Sequence, residues 1–429
     1  MSDQHRDGVR TIAVPGLDEH NREILERLPG GERHRFLPLL SIDELQYGDE
    51  IPVLDLLEKA RSELDRAGPV DGVIGFWDFP VSTMVPLLCA HVGSPGPSLD
   101  AVLRCEHKYW SRLEQRAVID EHPAFALVDP DRDTEPPADV PFPMWVKPVK
   151  SFSSDLALRV TDAAGFRDAL AIIREGIGRV GEPFAELMAL GDPPPEIAAH
   201  GGRVCVAEEA VEGRQLTLEG WVRDGELHVL GAVDTVNRAD VPSQDRFVYP
   251  SSVPDTVVER MTSVTGRIVR RVGLDHTTLN VEFFWDPESD RLTVLEVNPR
   301  HSQSHAELFE HVDGAPNHLA MVRLALGEEP AMPHRQGHHA VAAKWFLRRL
   351  DDGVARRVPT AEEITEVQRS VPGTTVDVIV AEGDRLSELP DQDNYSYKIA
   401  NIYVGGSDER ELADRFRRCA ELLPFTFDP

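Results

Sequence analysis

Short apolar runs that end in glycine or proline alternate with helical spacing over the first hundred residues. TIAVPG (11–16) and DGVIGFWDFP (71–80) are typical of short buried strands. Between them, the second half of the segment 42–64 has the apolar spacing of a helix, and residues 81–92 predict another helix. The pattern indicates an open, Rossmann-like α/β unit over residues 1–102. Because no GxGxxG follows the first strand, we do not expect a dinucleotide site there.

Residues 103–332 have strand-like alternation over much of their length. Residues 103–123 predict a helix, and MWVKPVK and LALRV predict two strands around the polar loop SFSS. Asp255 is placed to cap a helix that runs to Val272 and stops at Gly273. The last section, 333–429, predicts α+β structure, with a helix opened by a Thr360…Glu363 capping box.

The strongest chemical signal lies in TTLNVEFFWD (277–286) and LTVLEVNPR (292–300), two strands joined by the turn-rich PESD. Together they predict a hairpin. Strict alternation puts two sets of side chains on the faces away from the charged residues: Leu279, Val281 and Phe283 in the first strand, and Thr293, Leu295 and Val297 in the second.

If the turn centres near Ser289, Glu282 lies directly across from Glu296, and Asn298 follows on the same face. Facing carboxylates about 5 Å apart repel by about 3 kcal/mol at an effective dielectric near 20. A divalent cation between them removes that repulsion, and hard oxygen ligands suit Mg²⁺ or Mn²⁺. The alternative is a solvated outer face, but Arg300 directly beyond the strand favours a site for polyphosphate or acyl phosphate.

Overall charge and cysteine spacing narrow the class of protein. The formal charge of −29 argues against nucleic acid or an anionic membrane as partner, but not against a small anionic substrate. The four cysteines form no CxxC, which favours reduced, packed thiols. The N-terminus has no signal-peptide pattern, and no apolar run approaches ~18 residues. We therefore expect a cytoplasmic protein, with a homodimer as the commonest assembly.

Taken in order, five short segments resemble the ATP-grasp superfamily from about residue 103 to 330. They are HK (107–108), VKPVKSFSS (146–154), AEEAVEG (207–213), NVEFF (280–284) and LEVNPR (295–300). The resemblance implies an ATP-grasp fold over residues 103–332, with a lid subdomain at about 142–205. Residues 1–102 would then be the pre-ATP-grasp domain, and 333–429 a C-terminal α+β region.

The resemblance also implies how ATP and metal are held. Lys108 and Lys147 contact phosphates, and the hydroxyl-rich lid loop contributes Ser151, Ser153 and Ser154. The metal ligands are Glu282, Glu296 and Asn298. The lid loop has no glycine, although many members are glycine-rich there.

The implied adenosine contacts follow the strand that ends in AEEAVEG. Glu208 receives the adenine amino group beside Glu209, and Val211 supplies hinge backbone. Gln215 stands where a ribose-binding glutamate is common, and Glu219 is the alternative. For each of these residues, ordinary surface polarity is the competing interpretation.

Members of this superfamily usually activate a carboxylate as an acyl phosphate, which a nucleophile then attacks. We therefore hypothesise a carboxylate–amine ligase, with an amino acid as the expected carboxylate. Arg300 faces the phosphoryl group or the substrate carboxylate, and His305 is a candidate proton acceptor. Candidate substrate contacts are Ser302, Ser304, Asn237 and Arg238.

Two other functions stay open. PRHSQSH resembles biotin carboxylases, but Ser302 and Ser304 replace that group's Gln and catalytic Glu, and no methionine is followed by lysine as in a biotin acceptor. A nucleotide-binding sensor that ligates nothing is the other alternative. The intact metal-ligand set argues against it, because binding alone needs no paired carboxylates.

Overall fold

The computed structural model describes residues 8–48, 50–151, 155–238, 243–389, 392 and 396–428. Its N-terminal section is a parallel three-stranded sheet in the order β2-β1-β3, flanked by helices. The elements are β1 (Arg10–Pro15), α1 (Glu19–Glu26), β2 (His34–Leu39), α2 (Val53–Ala67), β3 (Gly72–Val73) and α3 (Val81–Val92). The strand predicted over 71–80 is thus only two residues long, and residues 74–80 leave the sheet as a loop.

Two short helices replace the single helix predicted over residues 103–123. They are α4 (Leu99–Glu106) and α5 (Lys108–Arg116). His107 separates them in an extended conformation, with φ −77° and ψ 97°. Its buried ring accepts a hydrogen bond at Nδ1 from the backbone N–H of Trp110 (3.2 Å) and so caps α5. Lys108 therefore begins a new helix.

A four-stranded antiparallel sheet in the order β4-β7-β5-β6 follows. Its elements are β4 (Phe125–Val128), β5 (Met144–Pro148), β6 (Leu158–Val160), α6 (Ala163–Gly176), α7 (Gly178–Met188), α8 (Pro195–His200) and β7 (Cys205–Glu209). Phe166, Leu170 and Ile173 of α6 pack on this sheet. Phe184 and Leu187 of α7 pack instead into the core of the N-terminal section.

The largest sheet has eight strands in the order β12-β11-β8-β9-β10-β13-β16-β15. Up to residue 325 the elements are β8 (Arg214–Arg223), β9 (Glu226–Asn237), β10 (Gln244–Tyr249), α9 (Asp255–Val272), β11 (Thr277–Asp286), β12 (Arg291–Asn298), α10 (Ala306–Asp313) and α11 (His318–Ala325). Beyond it are β13 (Val341–Arg349), β14 (Val354–Arg357), α12 (Ala361–Ser370), β15 (Thr374–Val378), β16 (Tyr397–Gly406), α13 (Glu409–Leu422) and β17 (Thr426–Asp428). β14 and β17 form a separate pair.

Helix α9 covers one face of the large sheet with an apolar stripe of Val257, Met261, Val264 and Ile268. The predicted capping by Asp255 is wrong, because Pro254 is the N-cap and Asp255 is the first helical residue. Its charge still favours the positive end of the helix. The capping box of α12 is confirmed, with reciprocal bonds between Thr360 and Glu363.

The predicted combination of α/β and α+β structure is confirmed. The proposed domain limits stay predictions. α4 runs across residue 102, and β10 and β13, on either side of residue 332, pair in one sheet. All four cysteines are buried and unpaired. Within the described ranges, no helix has the length and apolar character that a membrane span requires.

Candidate active site

The hairpin β11–β12 places the two predicted carboxylates opposite each other. Glu282 pairs with Glu296, as the sequence predicts, and Asn280 pairs with Asn298. A bulge produces this register, because Phe283 pairs with Val294 and Leu295 is the extra residue.

The bulge also corrects the predicted alternation of β12. Its core side chains are Leu292, Val294 and Val297, whereas strict alternation had grouped Thr293 and Leu295 with Val297. For the residues of β12 between the turn and Leu295, the predicted face of the sheet is therefore the wrong one.

The two carboxylates have opposite electrostatic surroundings. Burial, and then the charge of Glu296, raise the pKa of Glu282 to about 7, although Arg300 and Gln215 act in the other direction. Burial also pushes the pKa of Glu296 upward, but the lysines around it outweigh burial and lower its pKa to about 2. One carboxylate is thus held ionised, whereas the other lacks sufficient positive charge nearby.

Lysines from two elements face Glu296. Lys108, the first residue of α5, lies 2.8 Å from Glu296 through Nζ and 3.5 Å from the carbonyl of Ser151. Lys147 on β5 forms an ion pair of 2.6 Å with Glu208, and its charge also acts on Glu296. The predicted lid residues Ser153 and Ser154 lie outside the described residues.

Arg112, which lies in none of the sequence motifs described above, joins the two antiparallel sheets. It is 3% exposed and donates to Glu208 on β7 (2.6 Å) and to the carbonyl of Leu295 at the bulge (2.6 Å). Arg112 stands four residues after Lys108, on the same face of α5. That spacing is the one signal in the sequence that could have pointed to it.

Glu208 lies between Arg112 and Lys147, and each of its oxygens meets one cation. Burial pushes its pKa upward, but these two charges outweigh burial and lower it to about 2. The predicted contact to adenine is untested. In this arrangement the carboxylate already orients two cations beside the hairpin.

The donor set of the hairpin fits a hard divalent cation. Asn298 donates Nδ2 to Asn280 Oδ1 (3.0 Å), and within the described chain its own Oδ1 has no hydrogen-bond partner. Gln215 donates to Glu282 (3.2 Å), so it lies beside the carboxylate pair. No group of three or more His, Cys, Asp or Glu suited to a metal occurs among the described residues. Two carboxylates, an amide oxygen and ligand phosphates would be enough for Mg²⁺.

Arg300 leaves β12 and reaches the N-terminal section. Its Nε and one terminal nitrogen donate to Asp78 Oδ1 at 3.0 and 2.6 Å. Asp78 lies in the loop after β3, at the carboxyl end of the parallel strands. Ligands of open α/β sheets commonly bind at this edge. No local pattern in the sequence points to Asp78, because only the tertiary structure brings it to the arginine.

The segment after Arg300 is held by Glu219, a completely buried residue on β8. Glu219 Oε1 accepts from the N–H of Ser302 (3.0 Å) and lies 2.9 Å from Nδ1 of His305. These bonds engage Oε1 of Glu219 with its own chain, and the alternative of a ribose contact stays a prediction. Ser304 accepts a hydrogen bond from Lys344 on β13 (3.0 Å). Like Arg112, Lys344 lies outside the sequence motifs described above.

The remaining predicted site residues make none of the contacts described above. Glu209 forms two hydrogen bonds with Arg291, at 2.7 and 2.9 Å, and Val211 lies in the link between β7 and β8. Asn237 is exposed at the end of β9, and the backbone N–H of Arg238 bonds to the carbonyl of Ser243. Their proposed roles stay predictions.

Comparison with known proteins identifies the domain family that the middle of the chain resembles. Residues 140–306 match the family described as "ATP-grasp domain". Residues 140–306 are therefore similar to an ATP-grasp domain, and the resemblance predicted from sequence is confirmed.

Individual relatives are distant or much longer. The carbamoyl phosphate synthase large chain of Acidobacterium capsulatum is 27% identical over 239 residues, which cover 54% of this chain and 20% of that one. The aligned region is thus about a fifth of the relative's length. An L-amino acid ligase from Bacillus licheniformis has a TM-score of 0.72 at 16% identity, covering 98% of this chain and 99% of that one. A Campylobacter jejuni biotin carboxylase has a TM-score of 0.63 at 13% identity, with coverage of 97% and 86%. These structures share the ATP-grasp fold.

Proposed function

We propose that this protein is an ADP-forming carboxylate–amine ligase that depends on ATP and a divalent metal. The observation that carries the proposal is the facing pair Glu282 and Glu296, with Lys108 and Arg300 beside it. A half-buried pair of facing carboxylates costs free energy when both are ionised, and a bound cation and its phosphates would remove that cost. The fold of an L-amino acid ligase over nearly the whole chain supports the same class.

In the first step, the chain's residues would bring two anions together. Glu282, Glu296 and Asn298 would hold Mg²⁺, which when bound neutralises negative charge on the phosphates. Lys108 and Lys147 would orient the phosphate tail. A carboxylate oxygen of the first substrate attacks the γ-phosphorus, the bond to the β-phosphate oxygen breaks, and ADP leaves.

In the second step, the amine nitrogen attacks the carbonyl carbon of the acyl phosphate. The new C–N bond forms, the C–O bond to phosphate breaks, and inorganic phosphate leaves. Arg300 would hold the acyl phosphate after giving up its contact with Asp78. His305, oriented by Glu219 through Nδ1, would accept the proton from nitrogen at Nε2, which is buried and has no hydrogen-bond partner among the described residues.

A biotin-carboxylase-like activity is the second candidate, favoured by the fold shared with the Campylobacter jejuni enzyme. The residues after Arg300 argue against it. Ser304 bonds to Lys344, so the position predicted for that group's catalytic glutamate holds only a hydroxyl. Bicarbonate-dependent release of phosphate without any amine would favour this alternative.

Phosphate release with ATP, Mg²⁺ and a matrix of amino-acid pairs tests the proposal. We expect release that needs both a carboxylate and an amine, with an equimolar condensation product seen by mass spectrometry. The double variant with Glu282→Gln and Glu296→Gln controls for contaminating ATPase. If no amine changes the rate of ATP turnover, the proposed ligase function is contradicted. A nucleotide sensor or a carboxylase would then be the better explanation.

A further inference from the structure

Strand β12, which carries Glu296, lies at the edge of the eight-stranded sheet. One row of backbone groups on an edge strand has no strand partner, so other elements must satisfy it. Helix α5 and the chain just after it do so at the bulge. The Val294 N–H donates to the carbonyl of Glu121 at 2.8 Å. The carbonyl of Leu295 accepts from Arg112 at 2.6 Å, so the residue before Glu296 is held from outside the sheet.

The guanidinium of Arg112 is itself fixed by buried partners. Its Nε donates to Glu208 Oε1, and its Nη1 donates to Gln115 Oε1, both at 2.6 Å. Gln115 is oriented in turn, because its Nε2 donates to Oγ of Ser111 at 2.9 Å. All four residues are at most 6% exposed. A planar group with three buried acceptors around it is confined to one orientation.

The same network ends at a lysine of the four-stranded sheet. The second oxygen of Glu208 lies 2.6 Å from Nζ of Lys147 on β5. Glu208 therefore joins Lys147 to Arg112, and Arg112 joins both of them to the hairpin. Three contacts of 2.6 Å thus run from the Lys147 ammonium to the backbone beside Glu296. They connect the predicted phosphate lysine on one sheet to the predicted metal ligands on the other.

A buried ion pair can serve the stability of the fold alone, but two features of Arg112 point further. Its pairing with Glu208 needs no third contact, yet Nη2 is directed at the main chain next to Glu296. In addition, Lys108, one turn earlier in α5, contacts the Glu296 side chain at 2.8 Å. One helix thus holds two adjacent residues of β12, the first through its backbone and the second through its carboxylate. Bulges commonly redirect side chains next to active sites.

We propose that Arg112 is a positioning residue for the metal site, which fixes the bulge of β12 so that Glu296 keeps its place relative to Lys108 and Lys147. The inference rests on the metal site of the proposed ligase, and Arg112 itself would touch neither metal nor substrate. Loss of such an outer partner typically lowers metal affinity about 10- to 100-fold. Because Glu208 holds Lys147 through its other oxygen, metal binding should suffer more than nucleotide binding.

Arg112→Lys tests the proposal. Lysine keeps a positive charge beside Glu208, but one ammonium does not reproduce the fork that also reaches Gln115 and the Leu295 carbonyl. Mn²⁺ alone is the probe, because the electron paramagnetic resonance signal of the free ion falls as the ion binds. We expect Kd for Mn²⁺ to rise about 10- to 100-fold. Kd for ADP, measured in EDTA, should stay near the wild-type value, whereas general damage to the fold would raise both constants.

Arg116→Lys is the matched control, since it makes the same substitution one turn later in α5. Arg116 is exposed, and its guanidinium lies 5.0 Å from the ring centre of Phe125, so we expect wild-type constants. The double variant with Glu282→Gln and Glu296→Gln measures Mn²⁺ bound elsewhere on this acidic chain. Gln115→Met removes only the acceptor for Nη1 and should raise Kd for Mn²⁺ by a smaller factor. It decides the question if Arg112→Lys does not fold.

The Mn²⁺ titration separates this inference from the ligase proposal. An unchanged Kd for Mn²⁺ in Arg112→Lys, or equal increases for Mn²⁺ and ADP, would overturn the positioning role even if phosphate release supported the ligase. If no substrate pair releases phosphate, the ligase proposal fails, while the titration still decides the role of Arg112. A wild-type protein that binds no more Mn²⁺ than the double variant would overturn the positioning role together with the metal site.

Discussion

At the scale of single residues, two glutamates that face each other across one ladder have pKa values shifted in opposite directions. Glu282 and Glu296 face each other across one ladder, yet the pKa is about 7 for the first and about 2 for the second. The difference comes from lysines on other elements, above all Lys108, which is 188 positions before Glu296 in the sequence. The sequence therefore predicts the pair correctly but not its asymmetry.

Glu282→Gln should stabilise the metal-free protein at pH 8. Between its ordinary pKa of 4.5 and about 7, the folded chain keeps a proton that the unfolded chain has lost. Stability therefore falls as pH rises through this window, by on the order of 3 kcal/mol, and glutamine removes that loss. Urea unfolding in EDTA at pH 5 and pH 8 measures the effect, and added Mg²⁺ should stabilise only the wild type.

Glu296→Gln is the control with the opposite sign. Because its pKa is lowered to about 2, the ionised form stabilises the fold above about pH 4.5, and this stabilisation is lost as pH falls toward 2. We expect this variant to lose about 1 to 2 kcal/mol at pH 8, after allowance for partial exposure of the side chain. Equal destabilisation by both substitutions would contradict the assigned charge states.

At the scale of elements, sequence periodicity located the helices and strands better than their interruptions. The apolar spacing over residues 103–123 continues through His107, so it predicts one helix where the structure has two. The strand pattern likewise continues through Leu295, where the ladder gains a residue. Both interruptions depend on tertiary contacts, the burial of the His107 ring and the bond from Arg112 to the Leu295 carbonyl.

Substitutions at His107 should separate capping from helix propensity. His107→Ala removes the acceptor for the Trp110 N–H and should cost at least about 1 kcal/mol of stability. It should also weaken ATP binding, because Lys108 begins α5 directly after the cap. His107→Asn restores a capping oxygen and should recover part of both losses. Thermal unfolding and nucleotide titration measure the two effects, and identical behaviour of the two variants would rule out capping as the cause.

At the scale of the whole molecule, the large sheet joins segments that the sequence assigns to different domains. β13 pairs with β10 and β16 pairs with β13, so residues beyond 332 extend the sheet that begins at β12. Long-range contacts such as that between Arg300 and Asp78 also cannot be predicted from the sequence, since 222 positions separate the two residues. The motif-bearing strands could be predicted from alternation and charge. Their partners could not, because no local pattern encodes them.

A chain truncated after residue 332 tests the continuity of the sheet. Removal of β13 leaves the ladder edge of β10 unpaired and uncovers Val248 and Phe247. An open apolar edge promotes association, so we expect the fragment to aggregate. Light scattering of the purified fragment beside the full chain measures this. A monomeric fragment that binds nucleotide would show that the C-terminal region is dispensable for the fold.

The extra residue in β12 has a consequence for insertions and deletions. Loss of the single codon for Leu295 would keep every charged residue of the motif in the gene. Because Leu295 is the extra residue, Phe283 would still oppose Val294 and Glu282 would still oppose Glu296, which would alternate regularly with the core residues Val294 and Val297. A homologue that is one residue shorter at this point could therefore keep the facing carboxylates, whereas it would lose the local bend of the bulge and the carbonyl to which Arg112 donates.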